Sequence, residues 1–149
     1  MEEIIRCCQN LKEVDLAYEF KKYENEYFEF LVKNMPPNVE KLNLGDNLIT
    51  NDEVKTLLSR CKKIKALNLQ AIRITDDSLM NIKQHLNLTL EELSLSDDFI
   101  SFNGFLGLKS MPRLIILNLL SENDDSEKIQ NLKQHLSHLM IKVSSPFES

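Results

Sequence analysis

Three cysteines and three histidines are the side chains in this sequence best suited to bind a metal ion or to act as a nucleophile. Cys7 and Cys8 are adjacent and would point in different directions on any regular element, while Cys61 lies far along the chain. The histidines stand at positions 85, 135 and 138, too far from the cysteines for a metal-binding spacing. No spacing brings together a nucleophile, a general base and a group that orients the base. We therefore expect buried free thiols, no metal site, no cofactor and no catalytic residues.

Charge and hydropathy narrow the possible partners. The 149 residues carry a net charge of −5 and contain no block of Lys and Arg, so the basic surface that phosphates require is missing and nucleic acid is not an expected partner. No apolar run approaches the roughly 18–20 residues that cross a bilayer. The N-terminus is acidic, with Glu2 and Glu3, where a secretory leader would be basic. We expect no membrane association and a cytoplasmic and/or nuclear location.

The elements that would position any binding residues are set by an internal repeat. The pattern aliphatic-x-x-aliphatic-x-aliphatic occurs six times, and the last copy is degenerate. The copies begin at Leu11, Val39, Ile64, Leu90, Leu114 and Leu139. Their starts lie 24 to 28 residues apart, within the range of about 20–29 residues for leucine-rich repeats. The sequence therefore predicts a single leucine-rich-repeat domain over residues 1–149, with about five repeats and a degenerate C-terminal one.

A capped helix follows the repeat pattern. After the second copy, Thr50 and Glu53 match a capping box, and after the third copy Thr75 stands at an N-cap with carboxylates in the next turn. Short strands joined by helices run parallel, and helices are wider than the strand spacing, so the stack must curve. The predicted fold is an α/β solenoid, a horseshoe with a concave parallel sheet of five or six strands and convex α-helices. Strands are expected near 13–17, 41–45, 66–70, 92–96, 116–120 and 140–144.

Alternation along each strand assigns the side chains to two faces. The fourth and sixth pattern positions, such as Leu67 and Leu69, should point into the core, and the third, fifth and seventh onto the concave face. The third positions are Glu13, Lys41, Ala66, Glu92, Ile116 and Met140. The fifth positions are Asp15, Asn43, Asn68, Ser94, Asn118 and Lys142. The seventh positions are Ala17, Gly45, Gln70, Ser96, Leu120 and Ser144.

The concave face contains an apolar group among these outward positions. Ile116, Leu120 and Met140 fall on neighbouring strands, and an exposed apolar cluster with a polar rim is typical of a protein-binding site. We therefore predict a protein partner on the C-terminal half of the concave face. The residues expected to bind it are Ile116, Asn118, Leu120 and Met140, with Asn68, Gln70 and Glu92 at the rim.

Two segments resemble cysteine-containing leucine-rich repeats. Residues 61–69 (CKKIKALNL) match Cys-x-x-Leu-x-x-Leu-x-Leu, and residues 74–79 (ITDDSL) match Ile-Thr-Asp-x-x-Leu. Such repeats are similar to those of F-box/leucine-rich-repeat proteins, the substrate receptors of Skp1–cullin–F-box (SCF) ubiquitin ligases. No segment before the first repeat matches an F-box, so the resemblance implies either a fragment or an F-box-less relative. Skp1 and cullin are implied partners only if an F-box lies outside this chain.

The resemblance implies a non-enzymatic protein–protein interaction module that recognises substrates or acts as an adaptor for SCF-type ubiquitin ligases. The alternative is a structural assembly factor that holds a larger complex together. A GTPase-activating role ranks behind both, because no arginine lies in a supporting constellation. The resembled receptors have a C-terminal tail, and such a tail would be an alternative cover for the apolar cluster.

Overall fold

The computed structural model describes residues 9–19, 25–123 and 126–146. Strands and helices alternate along them. The strands are β1 (Glu13–Asp15), β2 (Lys41–Asn43), β3 (Ala66–Leu69), β4 (Glu92–Ser96), β5 (Ile116–Leu120) and β6 (Met140–Ser144). The helices are α1 (Asn25–Asn34), α2 (Asn51–Arg60), α3 (Asp76–Leu86), α4 (Phe102–Leu106) and α5 (Glu127–His135), and a 3-10 helix (Gly107–Ser110) follows α4. Cys7 and Cys8 lie outside the described residues.

The six strands form one parallel sheet in sequence order, β1-β2-β3-β4-β5-β6. The register pairs equivalent pattern positions, so that Leu67 lies beside Leu42 on one side and Leu93 on the other. Each connection contains a helix, which packs behind the sheet. The predicted α/β leucine-rich-repeat solenoid is therefore confirmed.

The core consists of the fourth and sixth pattern positions together with the inner faces of the helices. Leu67, Leu69, Leu93 and Leu95 are all buried, as the alternation predicts. The assignment of every seventh position to the concave face is wrong for Gly45 and Ser96, because both are buried. Ser96 lies under the turn of the preceding repeat, where its hydroxyl oxygen accepts a hydrogen bond from the backbone N–H of Ala71 at 2.8 Å.

The first three strands end earlier than the sequence predicts. In each of them the fifth-position side chain turns back and accepts a hydrogen bond from the backbone N–H two residues later, as in Asn68 to Gln70 at 2.9 Å. The same bond joins Asp15 to Ala17 at 3.0 Å and Asn43 to Gly45 at 3.1 Å. The next residue then takes a positive φ, at Tyr18 (66°), Asp46 (59°) and Ala71 (55°). These turns end the extended backbone.

We expect Ala71→Gly to stabilise the protein by about 1 kcal/mol, because a Cβ in the left-handed region costs roughly 1–2 kcal/mol and glycine avoids that cost. Urea denaturation followed by circular dichroism measures the change. Ala66→Gly, in β3, is the control and should destabilise the protein, since a glycine weakens a strand. Equal losses of stability in both variants would contradict a strained Ala71.

Helix starts are held partly by the neighbouring repeat. The capping box of α2 is confirmed: Thr50 Oγ1 accepts from the N–H of Glu53 at 3.3 Å, and Glu53 Oε2 accepts from the N–H of Thr50 at 2.7 Å. Thr75 stands at the N-cap of α3, but its side chain makes no cap hydrogen bond. Asn51 of the preceding repeat substitutes for it, since its Oδ1 accepts from the N–H of Thr75 at 3.1 Å and from the hydroxyl of Ser78 at 2.6 Å.

Candidate functional site

Nine side chains form three rows across β4, β5 and β6. The register places equivalent positions of the three strands side by side, so each row contains one residue from each strand. The rows are Glu92–Ile116–Met140, Ser94–Asn118–Lys142 and Ser96–Leu120–Ser144. Alternation directs all three rows to the face opposite the buried leucines.

The apolar members of these rows are Ile116, Leu120 and Met140, which we call the apolar patch. Met140 is 56% exposed, and Ile116 and Leu120 are half-buried. Ile116 and Met140 are register partners on adjacent strands, which places their side chains next to each other. This face of the sheet therefore has an apolar surface that is partly exposed to solvent.

Polar groups beside the apolar patch are held in place by hydrogen bonds. Asn118 Nδ2 donates to Glu92 Oε1 at 2.8 Å and to Ser94 Oγ at 3.1 Å. Each of these residues is half-buried. A carboxylate and an amide fixed in this way present hydrogen-bonding atoms in one arrangement, which favours recognition of a specific partner.

Asn68 and Gln70 lie farther from the apolar patch. Asn68 is on β3, three strands from β6, a distance of about 14 Å at the usual strand spacing. Its side-chain oxygen is already occupied by the N–H of Gln70 at 2.9 Å. Asn68 therefore has a structural role at the end of β3 in addition to any role in binding.

Four residues of the rows, Ser94, Ser96, Lys142 and Ser144, were left out of the sequence-based site. Ser94 belongs to the hydrogen-bonded group of Asn118, and Lys142 is exposed beside Asn118 on β6. Both stand at fifth pattern positions, so the alternation already assigned them to this face. What the sequence did not show is that these two residues lie directly beside Asn118. That pairing depends on the strand register, which the sequence indicates only through the repeat spacing.

The N-terminal half of the same face is charged. Lys41 Nζ lies 2.7 Å from Glu13 Oε1. The hydrogen bond to the Glu13 carboxylate and its charge raise the pKa of Lys41, so the ammonium is retained. A solvent-exposed ion pair of this kind contributes little to stability, and it makes this half of the face less suited than the C-terminal half to an apolar contact.

The thiol of Cys61 is buried, with its sulfur 3.9 Å from the carbonyl oxygen of Pro36. Burial raises its pKa to about 11, so the thiol stays protonated and weakly nucleophilic near neutral pH. His85 and His135 lie in the last turns of α3 and α5, where a cation interacts favourably with the helix dipole. Among the described residues, no group of three or more His, Cys, Asp and Glu side chains is arranged to hold a metal ion.

Within the described ranges, no helix combines the length and the apolar character needed to cross a membrane.

Comparison with known proteins gives matches at the level of structure only. No family model matches the sequence, and no curated protein matches it.

Two solved structures share the fold. The actin-binding site 2 of leiomodin-1 matches with a TM-score of 0.65 and 18% sequence identity, over 92% of this chain and 86% of that chain. The C-terminal domain of tropomodulin from Caenorhabditis elegans matches with a TM-score of 0.65 and 15% identity, over 92% of this chain and 89% of that chain. At these identities the likeness establishes the fold.

The resemblance to F-box/leucine-rich-repeat proteins is wrong. The structural neighbours are tropomodulin and leiomodin domains. The motifs that suggested it serve packing and capping. Cys61 fills a buried position before β3, and residues 74 and 75 supply a buried isoleucine and the N-cap of α3. Any leucine-rich repeat of this geometry needs a buried residue before its strand and an N-cap residue at its helix. These motifs therefore indicate the fold and not the family.

Proposed function

We propose that this domain is a non-enzymatic protein-binding module whose binding site is the C-terminal half of the concave face. The observation that carries the proposal is the apolar patch of Ile116, Leu120 and Met140 beside the fixed group of Glu92, Ser94 and Asn118. A partly exposed apolar centre with ordered polar neighbours is the usual composition of a protein interface.

The buried, protonated thiol of Cys61 supports a binding role over a catalytic one. The SCF-type role has no remaining support, since it rested on the family resemblance. Asn68, Gln70, Glu92 and Asn118 are proposed to provide polar contacts at the rim of the site.

We propose actin as the first partner to test. One structural neighbour is the actin-binding site 2 of leiomodin-1, and it matches most of this chain. The test is co-sedimentation of the purified domain with actin filaments, together with gel filtration of the domain with monomeric actin. A domain that binds in neither assay excludes actin and leaves the protein-binding role to be tested with partners identified by cross-linking in cells.

Leu120→Glu is expected to weaken binding to actin, or to a cross-linked partner, by roughly 30-fold or more, because a carboxylate would be desolvated within the apolar patch. Affinity measured by biolayer interferometry checks this. Met140→Glu should have the same effect, and its exposed position protects the fold from the change.

Met80→Glu is the matched control, since Met80 is 69% exposed on α3, away from the sheet. It should bind like the wild type. Undiminished binding by Leu120→Glu and Met140→Glu would overturn the concave site. If Leu120→Glu fails to fold, as circular dichroism would reveal, Met140→Glu alone decides the question.

A further inference from the structure

A second exposed apolar surface lies along the edge where strands end and helices begin. We call this edge the helix-start rim and define it as the loops after the strands together with the first three residues of each helix. Leu48 and Phe99, in the loops after β2 and β4, are 58% and 51% exposed. Each stands nine residues after the start of its repeat pattern, so the two residues are equivalent.

The residue at the same position in the intervening repeat is Arg73. Its guanidinium carbon lies 5.9 Å from the centre of the Phe99 ring, within the range of a cation–π contact. This contact holds the ring over the rim beside the neighbouring loop. Leu48, Arg73 and Phe99 therefore form one row across three consecutive repeats. Its two apolar ends lie between about 10 Å apart, the spacing of two strands, and about 20 Å apart, the width of two helices.

The surroundings of this row are strongly acidic. From β2 onwards, the described part of the helix-start rim contains nine carboxylates and two cations, Arg73 and Lys128. The cause is the parallel arrangement of the helices: carboxylates favour the first turn of each helix, and parallel helices collect those turns on one edge. Lys128 is already paired with Asp97, at 3.8 Å between Nζ and Oδ2. Within the described chain, the carboxylates flanking Leu48 and Phe99, those of Asp46 and Asp98, make no ion pair.

The opposite edge of the solenoid has the reverse charge. Between the last three residues of each helix and the following strand, and counting Lys12 before β1, the described chain carries nine cations and two carboxylates. Both carboxylates are paired: Glu40 with Lys12 at 2.9 Å and Lys65 at 2.6 Å, and Glu91 with Arg113 at 3.0 Å. A second copy docking over Glu40 or Glu91 would have to break those pairs. Such a head-to-tail contact would also leave free edges and form an open filament instead of a closed dimer.

We propose that the helix-start rim is a second docking surface and that it binds a basic segment of a partner protein. Leu48 and Phe99 provide two apolar contacts, two repeats apart. The carboxylates of Asp46 and Asp98, which make no ion pair within the described chain, select cationic side chains and reject acidic ones. A helical partner matches this separation with apolar residues seven to fourteen positions apart, at about 1.5 Å of rise per residue.

The probe is a labelled amphipathic helical peptide of leucine and lysine, with leucines seven positions apart, and its affinity is measured by fluorescence anisotropy at low and high salt. A peptide with glutamate in place of lysine is the charge control. The double variant Leu48→Ser/Phe99→Ser should bind the lysine peptide at least about tenfold more weakly than the wild type. Asp98→Lys should weaken binding at low salt and have less effect at high salt.

The matched control is Met80→Ser/Leu88→Ser, which removes two apolar residues that are 69% and 72% exposed elsewhere on the surface. It should bind like the wild type. The proposal is overturned if the wild type does not bind the lysine peptide, if the glutamate peptide binds equally well, or if the double variant keeps its affinity. Concentration-dependent self-association in sedimentation velocity that the double variant abolishes would show that the occupant is a second copy of this chain.

Discussion

Leu67→Ala is expected to destabilise the domain by roughly 2–5 kcal/mol, a large part of the 5–15 kcal/mol typical of a folded domain. Leu67 is buried in the middle of the solenoid, between Leu42 and Leu93 in register. Truncation removes buried apolar surface and leaves a cavity that close-packed neighbours fill only in part. Each repeat is stabilised mainly by the repeats beside it, so the loss spreads to both sides.

Chemical denaturation followed by circular dichroism measures this loss. Leu93→Ala should behave alike, because Leu93 has the same pattern position and is also buried. Leu88→Ala is the control: the side chain is 72% exposed, and its removal should change stability by less than about 0.5 kcal/mol. Similar denaturation midpoints for Leu67→Ala and Leu88→Ala would show that the core assignment is wrong.

The sheet could be predicted from sequence because a repeat multiplies a weak signal. One copy of the pattern is uninformative, but six copies at nearly constant spacing predict strands, their order and the buried positions Leu67 and Leu69 together. The capping rules for single helices were less successful where a residue of one repeat holds the start of a helix in the next. Thr75 is a good N-cap by type, yet Asn51 of the preceding repeat holds the start of α3. A rule that reads each helix separately has no means of finding such a partner.

The concave residues were predictable as a set, and their individual roles were not. The alternation placed Asn68 and Asn118 in the same column, but their side chains act differently. Asn68 accepts a bond from the backbone of Gln70 and ends a strand, while Asn118 reaches across to Glu92 and Ser94. The difference depends on distances between neighbouring strands. It decides which asparagine remains suited to bind a partner, and it favours Asn118.

Lys128→Met is expected to destabilise the domain by about 2–3 kcal/mol, the usual range for losing hydrogen bonds to a charged group. Lys128 is the second residue of α5, a position where the helix dipole disfavours a cation. Its ammonium instead reaches back one repeat and donates to the carbonyl oxygen of Asp97 and to that of Ile100, the latter at 2.9 Å. It also lies 5.4 Å from the centre of the Phe105 ring.

These contacts stabilise the part of the solenoid where the α-helix is shortest, since α4 has only five residues. Methionine keeps most of the aliphatic stem, so the variant removes the ammonium with little loss of packing. The nearly buried carboxylate of Asp97 then loses its ion pair. Lys133→Met in the same helix is the control, because Lys133 is exposed in the last turn, and its change should stay within about 0.5 kcal/mol. Thermal and urea denaturation of both variants measure the difference. If the two methionine variants are equally stable, Lys128 does not hold the loop at residues 97–100 to α5, and the favourable contacts do not exceed the unfavourable interaction with the helix dipole.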